Sequence, residues 1–389
     1  MENAPAFDFT TGAGARSRVV SLPNGALHLE WRERDWPLDR LCAFAARENR
    51  RRGFLIVSRV LGRHIPARPA EMRAASNALA RQLPADLPEP VLVMGMAETA
   101  IALGQSVHQA WCQDSGRRDA LYLHSTRQLI GREPIVRFEE PHSHASSHLI
   151  YAPDCPEWPH RLEDVQSLVL VDDEVTTGNT FVNLAARLAP LLPQLKRIEI
   201  AVLTDWTGGD GFLAAMPAPA RVHSLLAGTL AWKGEGDENA AVEPCTGRLG
   251  TLDQRTNFGR LGTLGLRADH AALLAQFAPD HGDPLHVVGT GELLYPAFLL
   301  AEALEADGHD VLVQATTRSP ARVGGAICSV LRLADNYQTG VPNFLYNTGS
   351  TGRRLRIVCH ETPADSLDPA LLRDGDRTID FGAGHVGVG

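Results

Sequence analysis

Short apolar runs recur along this chain, alternating with segments whose apolar positions repeat at helical spacing. Runs at 91–94, 120–124, 168–171 and 198–204 predict strands, while 99–110 and 181–192 predict helices. Upstream, 25–33 alternates as a strand does and 38–51 has the spacing of an amphipathic helix. A strand is expected over 53–60, a turn at Gly62-Arg-His-Ile-Pro66 and a helix over 69–83. Repeated strand–helix alternation with short, wholly apolar strands predicts an α/β fold, a parallel sheet flanked by helices. Ligands of such sheets sit at the carboxyl ends of the strands.

Three stretches break that rhythm. Residues up to about 18 are polar and Gly/Ala-rich, and are expected to be loosely ordered. The interval 128–159 is long, polar and rich in His, Pro and Arg, without helical periodicity, the character of a lid or of a disordered segment. The stretch 234–257 is rich in Gly, Glu and Asp and holds Gly247-Arg-Leu-Gly-Thr-Leu252, a hexapeptide that returns at 259–264. One repeat is too little for a repeat architecture.

A second α/β unit begins near Pro284, with a strand at 285–288, the loop Gly289-Thr-Gly-Glu292, a helix over 293–306 and a strand at 311–315. Thr317-Arg-Ser-Pro320 follows. The first unit has the same order: strand, Gly95-Met-Ala-Glu98, helix, strand, then Ser125-Thr-Arg-Gln128. The C-terminal unit is therefore expected to hold a partial duplicate of the first strand–helix–strand element. The expected boundaries are 25–233, a linker arm over 234–283, and 284–389.

Composition narrows the class. The chain has 389 residues, 44% hydrophobic and 21% charged, which allows two domains of a globular protein. A net charge of −9 gives no general affinity for nucleic acid. No apolar run reaches the length of a membrane span, and the first residues lack the apolar core of a signal peptide. The six cysteines are scattered without close pairing, so reduced thiols and a cytoplasmic setting are expected.

The densest chemistry lies in Leu168-Val-Leu-Val-Asp-Asp-Glu-Val-Thr-Thr-Gly-Asn-Thr180. An apolar strand ends in Asp172 and Asp173, and a turn of Thr176, Thr177, Gly178, Asn179 and Thr180 opens the next helix. Backbone N–H groups at a helix start suit a phosphate, and the Thr hydroxyls add donors. Gly178 permits a backbone shape that a Cβ would block. The two carboxylates can accept from sugar hydroxyls or hold a divalent metal. Together they describe a sugar phosphate held at both ends. Simple helix capping would need one such residue and not five.

This stretch resembles the 5-phosphoribosyl-1-pyrophosphate (PRPP) motif of type I phosphoribosyltransferases. With the later Thr317-Arg-Ser-Pro320, the chain resembles the tellurium-resistance-associated bacterial phosphoribosyltransferases that carry a C-terminal TRSP domain. The resemblance implies transfer of ribose 5-phosphate between pyrophosphate and a nitrogenous, nucleobase-like acceptor, with Mg²⁺ as cofactor on Asp172 and Asp173. It also implies a pyrophosphate loop at the first strand-to-helix turn, here Gly95, Ala97, Glu98 and Thr99, a closing loop at 128–159 and a homodimer. Glu98 departs from a plain anion cradle: it either holds Mg²⁺ through water or points inward as a structural acceptor. Arg127 is placed to pair with a phosphate oxygen. The lid brings Arg132, Arg137, Glu139, Glu140, His142, His144 and His148, with His142 and His144 as candidate proton or charge partners for the leaving group. A zinc site on these histidines lacks an evident fourth ligand. Acceptor candidates are Arg63, His64, Arg318, Ser319, Asn336, Tyr337 and the stretch Asn343-Phe-Leu-Tyr346. Two other functions stay open: a non-catalytic PRPP or nucleotide regulator on the same fold, and an enzyme that binds ribose 5-phosphate but uses another nucleophile or a lyase step. No helix-turn-helix or basic domain is apparent to carry a regulatory output.

Overall fold

The computed structural model describes residues 15–33, 36–47, 53–139, 147–234, 249–252, 257–266, 282–350 and 352–382. At its centre is a seven-stranded sheet. Its strands are β1 (Ala15–Leu22), β2 (Gly25–Glu33), β5 (Val91–Gly95), β6 (Leu121–His124), β10 (Ser167–Val175), β11 (Arg197–Asp205) and β12 (Ala220–Gly234), in the order β1-β2-β12-β11-β10-β5-β6. From β12 to β6 all pairs are parallel, while β1 and β2 join antiparallel at one edge. Every residue of β5 is buried, because helices cover both faces and leave no solvent side to a central strand. Behind the sheet lie α2 (Pro69–Ala80) and α3 (Ala100–Ser115), while α4 (Asn179–Leu188) follows β10.

Three local expectations are corrected. Residues 15–18 belong to β1; that edge strand is exposed on nearly every residue, so no apolar alternation marks it. The 38–51 segment is helical only over α1 (Leu38–Leu41), then becomes β3 (Cys42–Ala46), paired antiparallel with β4 (Phe54–Ser58). All five residues of β3 are buried, and a strand covered on both faces has no period to distinguish it from a helix. The 128–159 interval is not structureless. Within it β7 (Gln128–Leu129) pairs with β13 (Gly250–Thr251), and β8 (Val136–Glu139) pairs antiparallel with β9 (Ser147–Ile150).

The C-terminal unit is a second parallel sheet. It is built from β14 (Leu285–Gly289), β15 (Val311–Ala315), β18 (Leu355–His360) and β19 (Arg377–Asp380), in the order β15-β14-β18-β19. The helix α5 (Leu294–Ala306) covers one face, and β16 (Val330–Leu333) and β17 (Asn343–Tyr346) form an antiparallel pair. This repeats β6-β5-β10-β11 with α3 and the β8–β9 pair, so the duplication extends well past the first strand–helix–strand element. Register confirms the match. Gly95 pairs with Val171 and His124, and Gly289 pairs with Cys359 and Ala315. Thr126 bridges Leu149 as Thr317 bridges Phe344.

The two units share a core. Residues 100–108 of α3 and 294–301 of α5 are buried on every side, and Ala67, Met72 and Ala102 join the apolar cluster of the C-terminal sheet. Residues 294–301 of α5 are apolar all round and must be covered all round, while α3 also buries Gln105, Ser106 and His108. Each unit also lends an arm to the edge of the other's sheet. Ala67 exchanges backbone hydrogen bonds with Val313 (3.0 and 2.8 Å), and Thr263 exchanges them with Tyr122 (both 2.9 Å).

Candidate active site

Strand β10 carries its apolar half inside the sheet and lifts Asp172 and Asp173 to the carboxyl end, both half-buried. The Asp172 carboxylate accepts the Asp173 N–H at 2.9 Å, which fixes the first acid against the backbone. The chain then turns through Thr176 and Thr177 into Gly178, whose φ of +75° is the left-handed region. A Cβ there would lie 2.2 Å from the Phe212 ring, so shape as well as conformation requires glycine. Helix α4 opens directly behind it, with the Val182 N–H as its first link back to the Gly178 carbonyl (3.0 Å). The N–H groups of that first turn have no carbonyl partner within the helix, a position where an anion is favoured, and the Asn179 N–H donates to the Thr177 hydroxyl at 3.4 Å.

These residues line a cavity of about 520 Å³. Asp172, Asp173, Glu174 and 175–181 form one wall, and Met96, Ala97, Glu98, Thr99 and Arg127 another. Gly95 stands behind that second wall; a Cβ on it would meet the Tyr122 hydroxyl at 2.4 Å. The third side comes from the arm residues Arg63 and His64 together with Thr317, Arg318 and Ser319 of the C-terminal unit. Four arginines and four carboxylates therefore face one space: Arg47, Arg63, Arg127 and Arg318 against Glu98, Asp172, Asp173 and Glu174.

Arg63 and Arg127 are both buried, at 2% and 8% exposure. Arg63 is held by three carbonyls, those of Gly291 (2.6 Å), Thr316 (3.1 Å) and Glu98 (2.6 Å). Arg127 reaches the Ala97 carbonyl at 3.4 Å. In each, the Nε has no hydrogen-bond partner among the described residues. A buried donor left over in this way suits an anionic guest. His64 lies beside Tyr346, ring centroids 5.3 Å apart, and burial, with the Arg47 and Arg63 charges, pushes its pKa down to about 3. Its Nε2 and the Ser319 hydroxyl likewise lack a partner among the described residues.

Glu98 is 8% exposed and turns toward the second unit: one oxygen accepts from the Thr317 hydroxyl (2.9 Å) and the Arg318 N–H (3.3 Å). Its counterpart Glu292 does the same in return, accepting from the Thr126 hydroxyl (2.6 Å) and the Arg127 N–H (2.7 Å). Sequence reasoning singled out Glu98 but not Glu292; the matched Gly-x-x-Glu loops were the signal that could have found it.

The candidates that the structure does not bring to the cavity are as informative. His142, His144 and Glu140 lie outside the described residues, as does the side chain of Glu139. His148 is buried in the core, hydrogen-bonded to Ser125 (3.0 Å) and stacked on Phe138 (4.6 Å). Arg132 and Arg137 form exposed pairs with Asp154 and Glu133. Asn336 and Tyr337 are spent inside the C-terminal unit on Thr362 and Glu361, and Tyr346 braces Ser319 through its hydroxyl (2.8 Å).

Comparison with known proteins agrees with this geometry. A family model described as "Phosphoribosyl transferase" matches residues 41–229, and one described as "TRSP domain C terminus to PRTase_2" matches 245–373. The chain belongs to the phosphoribosyltransferase family. It is a phosphoribosyltransferase with a TRSP domain on its C-terminal side. Solved structures similar to part of it include adenine phosphoribosyltransferase from Thermoanaerobacter pseudethanolicus (17% identity, 40% of this chain and 81% of that one, TM-score 0.28). The adenine enzyme from Giardia lamblia complexed with 9-deazaadenine aligns at 17% identity over 40% and 79%, TM-score 0.27. Hypoxanthine phosphoribosyltransferase from Trypanosoma cruzi, with the product IMP, aligns at 15% identity over 43% and 81%, TM-score 0.27. No curated protein matches the chain. No helix among the described residues is long and apolar enough to cross a membrane.

Proposed function

We propose that this phosphoribosyltransferase transfers ribose 5-phosphate from PRPP to a nitrogenous, base-like acceptor, or runs that transfer in reverse. The observation that carries the reading is the joining of three elements in one cavity: the Asp172–Asp173 turn, the 96–99 loop and Arg127. In this assignment residues 25–233 form the PRPP-binding domain, 234–283 an arm and 284–389 the unit that completes the site. The N–H groups and hydroxyls from Thr176 to Thr180 hold the 5-phosphate. Asp172 and Asp173 accept from the ribose hydroxyls, and their charge favours the cationic character that develops at C1. Arg127 and Arg63 offer their Nε–H groups to the pyrophosphate. As the acceptor nitrogen forms its bond to C1, the bond from C1 to the pyrophosphate oxygen breaks and the electron pair leaves with that oxygen.

Mg²⁺ fits these residues. Among the described residues no cluster of three His, Cys, Asp or Glu side chains forms a cage. Magnesium, however, is commonly held by one or two carboxylates plus substrate phosphates and water. Asp172 and Asp173 supply that pair, and the ion would neutralise charge on the pyrophosphate. Glu98, committed to Thr317 and Arg318, acts as a structural acceptor. The acceptor faces Leu55, Ile56, His64 and Ser319, an apolar wall with neutral polar groups. The scattered, unpaired spacing of the cysteines supports a cytoplasmic enzyme, and the resemblance of its motifs supports a role in tellurium resistance.

The test is incubation with PRPP, Mg²⁺ and a panel of bases, with pyrophosphate release as the readout. Release that depends on one class of base supports the reading. PRPP binding with no release across a wide panel would favour a regulator instead.

A further inference from the structure

Two polar atoms on the acceptor side of the cavity have no hydrogen-bond partner among the described residues, His64 Nε2 and the Ser319 hydroxyl. Both residues line the cavity, and His64 is only 6% exposed. Leaving a buried polar atom unpaired is costly, so two of them on one wall suit a guest that pairs both. They belong to one patch. The His64 ring lies beside the Tyr346 ring at 5.3 Å, and the Tyr346 hydroxyl donates to the Ser319 carbonyl at 2.8 Å. Leu55 packs in the same apolar cluster as Tyr346 and lines the cavity with Ile56, which gives the patch an apolar floor.

The C-terminal unit places both groups. It supplies Ser319 outright. The Ser319 N–H donates to the Thr317 hydroxyl at 3.2 Å and its carbonyl accepts from Tyr346, so its backbone is fixed while its own hydroxyl is left over. His64 comes from the first unit, yet its carbonyl accepts from the Asn347 amide at 2.9 Å. The Gln314 amide donates to the neighbouring Arg63 carbonyl at 2.8 Å and to the Tyr346 carbonyl at 2.9 Å. The arm is thus tied to the second unit at two successive residues.

The pair reads hydrogen bonds and not charge. Burial first, then the Arg47 and Arg63 charges, pushes the His64 pKa down to about 3, which keeps the imidazole neutral near pH 7. A neutral imidazole has one N–H and one bare nitrogen, and a hydroxyl donates or accepts. Neither group can neutralise a carboxylate, which loses its hydration on entering such a wall. A ring edge with N–H, ring-nitrogen or carbonyl groups side by side satisfies both, while the ring covers Leu55 and Ile56.

We propose that the C-terminal unit selects the acceptor: Ser319 pairs with the acceptor's edge directly, His64, held in place by that unit, pairs beside it, and the edge they read is uncharged. The inference rests on the phosphoribosyl-transfer reading for the acceptor's place in the reaction.

Calorimetric titration tests this on the full-length protein with Mg²⁺ and pyrophosphate present. The titrants are the neutral rings adenine, hypoxanthine, uracil and cytosine and, separately, the anionic rings orotate and nicotinate. A neutral ring is expected to bind more tightly than either anion. Ser319→Ala and His64→Leu should each weaken that binding about three- to tenfold, the scale of one neutral hydrogen bond, and leave pyrophosphate affinity unchanged. Ser319→Thr, which keeps the hydroxyl, should retain it. Unchanged ring affinity in either variant, or a loss that falls equally on the ring and on pyrophosphate, would overturn the pairing. Tighter binding of the anionic rings, or no binding by any neutral one, would overturn the uncharged edge. Ring binding that shows these losses in a protein that releases no pyrophosphate from PRPP refutes the transfer reading and not this one.

Discussion

Arg260 offers the sharpest physical test of how the units are held. Its guanidinium, 1% exposed, donates to Glu292 (3.1 and 3.0 Å) and Glu361 (2.7 and 2.8 Å). Replacing it with Met keeps most of the volume but leaves two buried carboxylates facing each other. Breaking a buried pair from one side costs about 3–5 kcal/mol, and that is the expected loss near neutral pH. The pH dependence is the stronger discriminator. Burial alone would raise the Glu292 carboxyl, yet the Arg260 charge, with the Thr126 hydroxyl and the Arg127 amide, holds it down to about 2 from an ordinary 4.5. A depressed folded-state value means stability that is present above 4.5 and lost as pH falls toward 2. In Arg260→Met the sign reverses. Burial and the facing Glu361 charge raise the Glu292 carboxyl, so stability is kept below its ordinary value of 4.5 and lost as pH rises through the raised one. His124 acts in the same sense: burial first, then the Arg260 charge, pushes it down to about 4, and removing the arginine relieves part of that acid penalty. Urea unfolding of both proteins at several pH values from about 4 to 7 should therefore show a gap that is widest at neutral pH and narrows in acid. A gap that stays constant across that range, or one below about 1 kcal/mol at neutral pH, would refute the reasoning.

Four further outcomes are expected. Asp172→Asn combined with Asp173→Asn should abolish base-dependent pyrophosphate release while leaving the melting temperature close to wild type; undiminished release would remove both residues from the site. Gly178→Ala should cost roughly 1–2 kcal/mol for the left-handed backbone, plus the displacement of Phe212, whose ring the new Cβ would meet at 2.2 Å. Ribose 5-phosphate affinity should fall with it, and unchanged affinity would argue that the turn does not hold the phosphate. His64→Gln should flatten the stability curve between pH 6.5 and about 3, because a His depressed by burial makes the folded state lose ground as pH falls through that window. Deleting residues 284–389 should give an aggregated or unfolded chain, since α3 would expose residues now buried on every side; a soluble, cooperatively folding fragment would show that the units are independent.

The main sheet was legible because its central strands are wholly apolar and separated by helices of ordinary length. The acid–threonine turn was legible for a different reason: Asp172, Asp173, Thr176, Thr177 and Gly178 are five unusual choices in seven positions, all adjacent in sequence. What escaped detection is non-local. The burial of β3 on both faces erased its period, and β1, exposed on both, had none to lose. Glu98 was left open between metal and structural roles because its partners, Thr317 and Arg318, lie some two hundred residues away. His148 looked like a lid residue in a polar stretch, yet it packs on Phe138 beneath Ser125. Residue type did not decide these cases; the partner across the fold did.

The two halves show how one framework can keep a site in one copy and close it in the other. Both place an acidic residue two steps past the sheet register, Asp173 in one and Glu361 in the other, and both have an arm arginine, Arg63 and Arg260. In the C-terminal half the arginine binds the carboxylate directly, and Tyr337 closes over them. In the first half Arg63 is drawn away by three carbonyls, two of them, from Gly291 and Thr316, belonging to the other unit. The second unit thus does more than cover the first. Two of the three hydrogen bonds that hold the Arg63 guanidinium come from its backbone. Loss of those two carbonyl contacts would favour in the first half the same closed ion pair that fills the second.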